Sequence, residues 1–293
     1  MKISGFTFVR NALKYDYPIV EAIRSILPIC DEVVVAVGDS EDGTLDLIRG
    51  IGSDRIRIVE TLWDDSLREG GRVLAVETDK AFGAIACDAD WAFYIQGDEV
   101  LHERYLPAVR AAMEAHLADR TVDGLLFDYL HFYGSYDYVG ESYRWYRREI
   151  RVVRNDPAIF SYRDAQGFRK RPSEKLRVKR VDAAIHHYGW VKDPRAMQRK
   201  QLNFGRYWHS GAEWESHTRR IASIESFDYS QIDALRRFEG THPEVMRARI
   251  AQRNWSFDHD PSRNRFSLKD RLKRAVERAT GWRPGEYKNY RLV

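Results

Sequence analysis

Residues 32–37 (EVVVAV) and 91–95 (WAFYI) are apolar almost without interruption, and each breaks off abruptly into glycine and acidic residues. A strand with one wet face alternates apolar and polar side chains. Runs like these are instead buried on both faces, as in a parallel sheet covered by helices. Residues 3–9 and 55–60 read as two further strands. Between the first two strands Ile19, Ala22, Ile23, Ile26 and Leu27 recur at helical spacing, and Pro28 closes the segment. Shorter and longer helical segments follow at 45–51 and 68–87. The order β-α-β-α-β-α-β predicts an α/β fold with a doubly wound sheet and right-handed crossovers. A chain of 293 residues suits one large domain, or one domain with an appended subdomain.

Open sheets of this kind bind ligands beyond the C-terminal ends of their strands. The run at 91–95 ends there in Gln96-Gly97-Asp98-Glu99. Hard divalent cations prefer oxygen donors, so two adjacent carboxylates can seat Mg²⁺ or Mn²⁺ on a diphosphate. They can equally solvate a loop and start a helix. The second apolar run ends in Gly38-Asp39-Ser40-Glu41-Asp42-Gly43-Thr44. Asp39 would accept a hydrogen bond from a base N–H or a ribose hydroxyl, while Asp42 suits a helix cap or a loop brace. Neither a glycine-rich dinucleotide fingerprint nor a P-loop is present, which argues against a dehydrogenase or a kinase-type ATPase. A net charge of +4 suits an anionic ligand and is too mild for nucleic acid.

The succession Phe8-Val9-Arg10-Asn11, then VVVAVGDSEDGT, a long helix and YIQGDE resembles the family-2 glycosyltransferases of the GT-A fold. Those enzymes pair a first strand ending near Tyr-Asn with Val-Asp-x-x-Ser-x-Asp-x-Thr and a Leu-Asp-x-Asp metal motif. The resemblance implies a GT-A-like domain over residues 1–190 and a helical, basic C-terminal subdomain over 191–293. It places Asn11 beside the nucleotide and Asp39 on its base, and matches Asp98 to the second Asp of the metal motif. Gln96 departs from the pattern where the first Asp would stand, leaving Glu99 to supply or support a further oxygen. Asp42, Arg68 and Lys200 complete the expected nucleotide-binding set.

Downstream, VDAAIHHYGW at 181–190 looks like the His-Tyr-Gly-Trp-Val segment that precedes Lys-rich helices in bacterial glycan transferases. In related enzymes a late histidine completes the metal or diphosphate site, which assigns His187 as a metal ligand and lets Lys200 reach a phosphate. An inverting transfer also needs a carboxylate to deprotonate the acceptor hydroxyl. The resemblance places it between the metal strand and the histidine segment, where Asp164 stands, with Asp128, Asp137 and Asp156 as rivals.

Three features stay open. The tyrosine-dense segment 133–138 reads as a sugar-stacking wall or as a packed loop. Arg148, Arg151 and Arg154 match diphosphate oxygens or ordinary surface charge. Residues 267–279 form a basic amphipathic helix with Leu268, Leu272 and Val276 on one stripe, begun by a capping-box-like Ser267 and Asp270. Such a helix lies on an anionic membrane surface, or packs its stripe on its own domain. No run is long enough to span a membrane, and the N-terminal segment begins with a strand and lacks an apolar leader, so a cytoplasmic protein is expected. Cys30 and Cys87 read as reduced core residues.

Taken together, the residues and the resemblance imply a divalent-metal-assisted, inverting glycosyltransferase. Its donor would be a nucleoside diphosphate sugar, and its acceptor a hydroxyl of a cell-surface glycan or lipid-linked saccharide. The alternatives are a nucleotide-sugar-binding protein with a degenerate metal motif, or a nucleotidyltransferase. The latter would carry a glycine-rich basic loop after the first strand, which residues 8–12 lack.

Overall fold

The computed structural model describes residues 1–67, 70–207 and 211–293, with the backbone alone for Phe204, Arg206, Gly211, Ala212, His217 and Ile221. Arg68 lies outside the described residues.

The first half of the chain follows the predicted alternation. Strand β1 (Ile3–Val9) leads to helix α1 (Ile19–Ile26), then β2 (Glu32–Gly38), α2 (Thr44–Arg49) and β3 (Ile56–Thr61). Helix α3 (Arg72–Gly83) precedes β4 (Trp91–Tyr94), the short β5 (Glu99–Leu101) and α4 (Leu106–Ala115). The second half holds β6 (Gly124–Tyr133), β7 (Ser135–Gly140), β8 (Arg148–Arg154), β9 (Ile159–Tyr162), β10 (Gly167–Lys170) and the long β11 (Glu174–Trp190). Helices α5 (Pro194–Phe204) and α6 (Gly211–Ala222), strand β12 (Leu235–Arg237), helices α7 (Arg247–Ala251) and α8 (Leu268–Thr280) and strand β13 (Tyr290–Leu292) complete it.

Among the described residues the strands join into one sheet with the spine β3-β2-β1-β4-β8-β6-β11-β10-β9. Strands β3, β2, β1 and β4 run parallel. Strand β8 is antiparallel to both neighbours, and β6 and β11 are again parallel. This is the expected doubly wound sheet flanked by helices, parallel through its first four strands. The chain leaves β1 toward β2 and β3, then returns to β1's other side as β4. That reversal opens the crevice between β1 and β4, where such sheets bind ligands.

Burial explains why the periodicities were legible. Helix α1 turns Ile19, Ala22, Ile23 and Ile26 onto one face of the sheet, all fully buried beneath it. Each of its isoleucines contributes roughly 1.5–3 kcal/mol by leaving water. Helix α3 covers the opposite face with Val73, Leu74 and Ala81 against Phe6, Val34 and Tyr94. It starts four residues later than expected, after Gly71 in the left-handed region at φ 69°.

Three expectations change. The segment 191–293 is helical in large part, but β13 pairs with Leu176–Val178 of β11 and β12 pairs with β7. The boundary at residue 190 therefore does not divide the sheet. Tyr133, Tyr136 and Tyr138 are buried, so the tyrosine segment is packed strand β7 and its approach, not a sugar wall. Cys30 is a buried free thiol, whereas Cys87 is exposed. Among the described residues no helix is long and apolar enough to cross a membrane.

Candidate active site

A cavity of about 630 Å³ opens at the C-terminal ends of β1, β4 and β11. Asn11, Gln96, Asp98, Asp164, His187 and Lys200 all line it, although they are spread over some two-thirds of the sequence. Tyr15, Tyr17, Trp63, Tyr146 and Tyr207 add aromatic walls.

The nucleotide loop is built by reciprocal hydrogen bonds between two strand ends. Asn11 adopts φ 56° and is buried. Its Oδ1 accepts from the Glu41 N–H at 2.7 Å, and its own N–H donates to Ser40 Oγ at 3.0 Å. Asp42 accepts from the backbone of Lys14 at 2.7 Å and of Thr44 at 3.0 Å. It braces the loop and does not line the cavity, so the nucleotide-contacting role expected for it is corrected to the brace. Asp39 also stands outside the cavity wall. Its carboxylate pairs with Arg10 at 2.9 Å and accepts from the Trp63 N–H at 3.3 Å. Through Arg10 and Trp63, which do line the cavity, Asp39 holds one end of it. The spacing of Arg10 and Trp63 gave no signal, because neither residue type is diagnostic alone.

Glu99 is not available as a metal ligand. Its side chain is fully buried, and Arg151 grips it through Nε at 2.8 Å and Nη2 at 2.7 Å. The Tyr129 hydroxyl and the Gln96 N–H occupy the same two oxygens at 2.8 and 3.1 Å. Two charges buried together need this degree of satisfaction to persist. The arginines of β8 are accordingly structural. Arg151 holds Glu99, Arg148 pairs with Asp128 at 2.7 Å, and Arg154 caps the carbonyls of Leu117, Asp119 and Val122 beyond α4. None of the three lines the cavity.

Asp98 and His187 do converge. Asp98 Oδ2 accepts from Lys200 Nζ at 3.1 Å, while its Oδ1 stands 3.7 Å from His187 Nε2. Burial opposes ionisation of Asp98, and Lys200 first, then His187 and Lys192, outweigh it, holding the carboxyl well below its usual range.

The tautomer of His187 follows from its neighbours. His131 Nε2 lies 2.8 Å from the Tyr146 carbonyl, which only accepts, so that nitrogen carries the proton. In the neutral ring, which burial favours, His131 Nδ1 is then the acceptor. It lies 3.0 Å from His187 Nδ1, which must donate. Burial likewise lowers the pKa of His187 and favours its neutral form. Nε2 of His187 is therefore an unprotonated lone pair facing a carboxylate oxygen, at a distance too long for a hydrogen bond.

Two electron-rich atoms set face to face repel each other unless a cation joins them. The space between them is kept clear by Gly189, where a Cβ would come within 2.6 Å of His187 Nε2 and 2.8 Å of Asp98 Oδ2. A carboxylate oxygen and a neutral imidazole nitrogen, the latter oriented by its hydrogen bond to His131, are donors that fit a divalent cation. Among the described residues no group of three or more His, Cys, Asp and Glu side chains is placed to hold a metal ion, and of the three expected donors the fold brings together only Asp98 and His187. His131, the orienting residue, was missed because the sequence shows it only as one polar position in an apolar strand.

Asp164 sits in the turn between β9 and β10, flanked by Arg163 at φ 58° and Ala165 at φ 64°. Left-handed geometry at non-glycine residues is costly and is retained where the surroundings enforce it. Here the Ala165 carbonyl is held by Gln96 Nε2 at 3.0 Å, tying this turn to the end of β4. Burial raises the Asp164 pKa, partly offset by backbone N–H groups and Arg163. Its rivals are committed elsewhere. Asp128 pairs with Arg148 and Arg180, Asp137 with Arg253, and Asp156 with Lys170.

Lys192, which the sequence reading did not single out, is fully buried next to this group. Its Nζ stands 4.7 Å from the Tyr17 ring centre, and Lys200 Nζ stands 5.1 Å from the same ring. Burial, with the Lys200 charge adding to it, brings Lys192 down to about 7.

No protein-family model matches the chain, and no curated protein does. Among solved structures the chain is similar to S. aureus TarS 1-349, at 14% identity over 75% of this chain and 69% of that one, with a TM-score of 0.41. The complex of that protein with UDP gives 14% identity, the same coverage and a TM-score of 0.40. Glucosyl-3-phosphoglycerate synthase from Mycobacterium tuberculosis, solved with Mn²⁺, UDP and phosphoglyceric acid, matches at 20% identity over 44% of this chain and 43% of that one, with a TM-score of 0.30.

Proposed function

We propose that the chain is a glycosyltransferase that moves a sugar from a nucleoside diphosphate sugar to a hydroxyl of a glycan or lipid-linked acceptor. The observation that carries this reading is the lone pair of His187 aimed at Asp98 across a space that Gly189 keeps open, in the same cavity as Asp164. The nucleoside lies along the β1 and β2 ends, where Asn11, Arg10 and the Asp39 loop shape the wall. The aromatic faces of Tyr15, Trp63 and Tyr146 offer stacking surfaces for base and sugar.

Asp98 and His187 would hold a divalent cation, Mn²⁺ or Mg²⁺, which would supply charge neutralisation for the leaving diphosphate. Lys200 adds a fixed positive charge at the same place. Asp164 accepts the proton of the acceptor hydroxyl as its oxygen bonds to the anomeric carbon and the nucleoside diphosphate departs from the opposite face. That single displacement inverts the centre. A carboxylate made more basic by burial is better suited to the task than a solvated one.

The test is binding and turnover of a panel of nucleoside diphosphate sugars with Mn²⁺, Mg²⁺ or EDTA, in the wild type and Asp98→Ala. Metal-dependent release of nucleoside diphosphate from one donor, lost in the variant, is the expected result. Nucleotide binding that ignores both metal and Asp98 would remove the metal from the reading, and no binding of any donor would remove the function.

A further inference from the structure

Helix α8 is docked inside out. Its inward face is ionic: Arg274 bonds Glu141 at 2.7 Å, and Glu277 accepts from Arg147 at 2.8 Å and from the Tyr143 hydroxyl at 2.7 Å. Lys273 adds a cation over the Tyr143 ring at 4.9 Å. Its apolar stripe points the other way. Leu268 is 79% exposed, Leu272 71% and Val276 37%, and Trp282, just past the helix, is 60% exposed. Helices ordinarily bury the apolar stripe and leave the ionic one wet. Exposed cations at Lys269, Arg271 and Arg278 rim the stripe, while both acidic residues of the helix, Asp270 and Glu277, are partly buried and hydrogen-bonded.

We propose that this face binds an anionic phospholipid surface, with Leu268, Leu272, Val276 and Trp282 entering the headgroup boundary and the rim cations meeting lipid phosphates. An apolar stripe bordered by basic residues and ending in tryptophan has the chemistry of an interfacial helix. A second copy of the chain is the less suitable occupant, because joining two such faces brings rims of the same charge together. The inference does not depend on the glycosyl-transfer reading. It would, however, bring the segment 143–147, of which Tyr146 lines the cavity, close to a lipid surface.

Flotation of the full chain with vesicles tests it, using phosphatidylcholine alone and phosphatidylcholine mixed with phosphatidylglycerol, at low and high salt. The expected result is binding to the anionic vesicles only, weakened by salt. Leu272→Glu, and separately Arg271→Glu with Arg278→Glu, should each lower that binding about tenfold or more. The melting temperature and nucleotide binding should stay unchanged, since these side chains are solvent-exposed. Absence of flotation, equal flotation with both vesicle types, or variants that float like the wild type would overturn the proposal. So would a dimer at sedimentation equilibrium that Leu272→Glu dissociates, which would give the face to a second copy.

Discussion

His131 and His187 share a hydrogen bond between their Nδ1 atoms, 3.0 Å apart, and this bond sets the chemistry of the site. Only one of the two can donate. The Tyr146 carbonyl on the far side of His131 makes His187 the donor, which leaves His187 Nε2 free to ligate.

His131→Ala should therefore weaken metal-supported nucleotide binding about 10–100-fold, as losses of orienting partners do. Binding measured in EDTA should be unchanged. Calorimetric titration under the two conditions separates an orienting role from a general loss of structure, which would reduce both.

Gly189→Ala should abolish the metal-supported part of binding by pushing the His187 ring or the Asp98 carboxylate out of its present position. The added Cβ would stand 2.6 Å from His187 Nε2, inside the space where the two donors meet. Mn²⁺ titration followed by paramagnetic relaxation reads the loss directly. An unaltered Mn²⁺ affinity would show that the two residues do not form the site.

The Glu99–Arg151 pair makes the opposite prediction, on stability. Arg151→Met leaves a carboxylate buried without its partner and should cost about 3–5 kcal/mol. Adding Glu99→Leu should recover much of that loss, because two apolar residues need no partner. Urea unfolding of the single and double variants checks it.

Asp164→Asn should lower kcat by about 10²–10⁴-fold with nucleotide binding intact, the usual contribution of a general base. Burial raises the Asp164 pKa, so the rising limb of the rate–pH profile should lie above the range of an ordinary aspartate. An unchanged kcat in the variant would assign the proton transfer elsewhere.

Glu149 predicts a pH dependence of stability. It is buried with one oxygen unpartnered, and burial lifts its pKa from 4.5 to about 8. The folded state then binds this proton more tightly than the unfolded state. Its contribution is present below pH 4.5 and is lost as pH rises from there to about 8. Glu149→Gln, which stays neutral, should flatten the decline in melting temperature over that window.

The sequence by itself determined the doubly wound half of the fold. Unbroken apolar runs such as 32–37 and 91–95 have no stable place except between two helical layers, and the helical spacing of Ile19 to Ile26 supplies one of them. It also pointed to Asp98, because a carboxylate at an abrupt strand end is visible locally, whereas His187, Asp164 and Lys200 drew on the family resemblance. What only the tertiary structure decided is which of those groups remain available. Glu99 looks like the twin of Asp98 in the chain, yet Asp98 lies in the turn after β4 while Glu99 opens β5 and turns inward to Arg151, 52 positions away. The partnership of His131 with His187 and the outward stripe of α8 are equally unreadable from periodicity. A hydrophobic pattern records that a side is apolar, whereas the rest of the fold decides what that side faces.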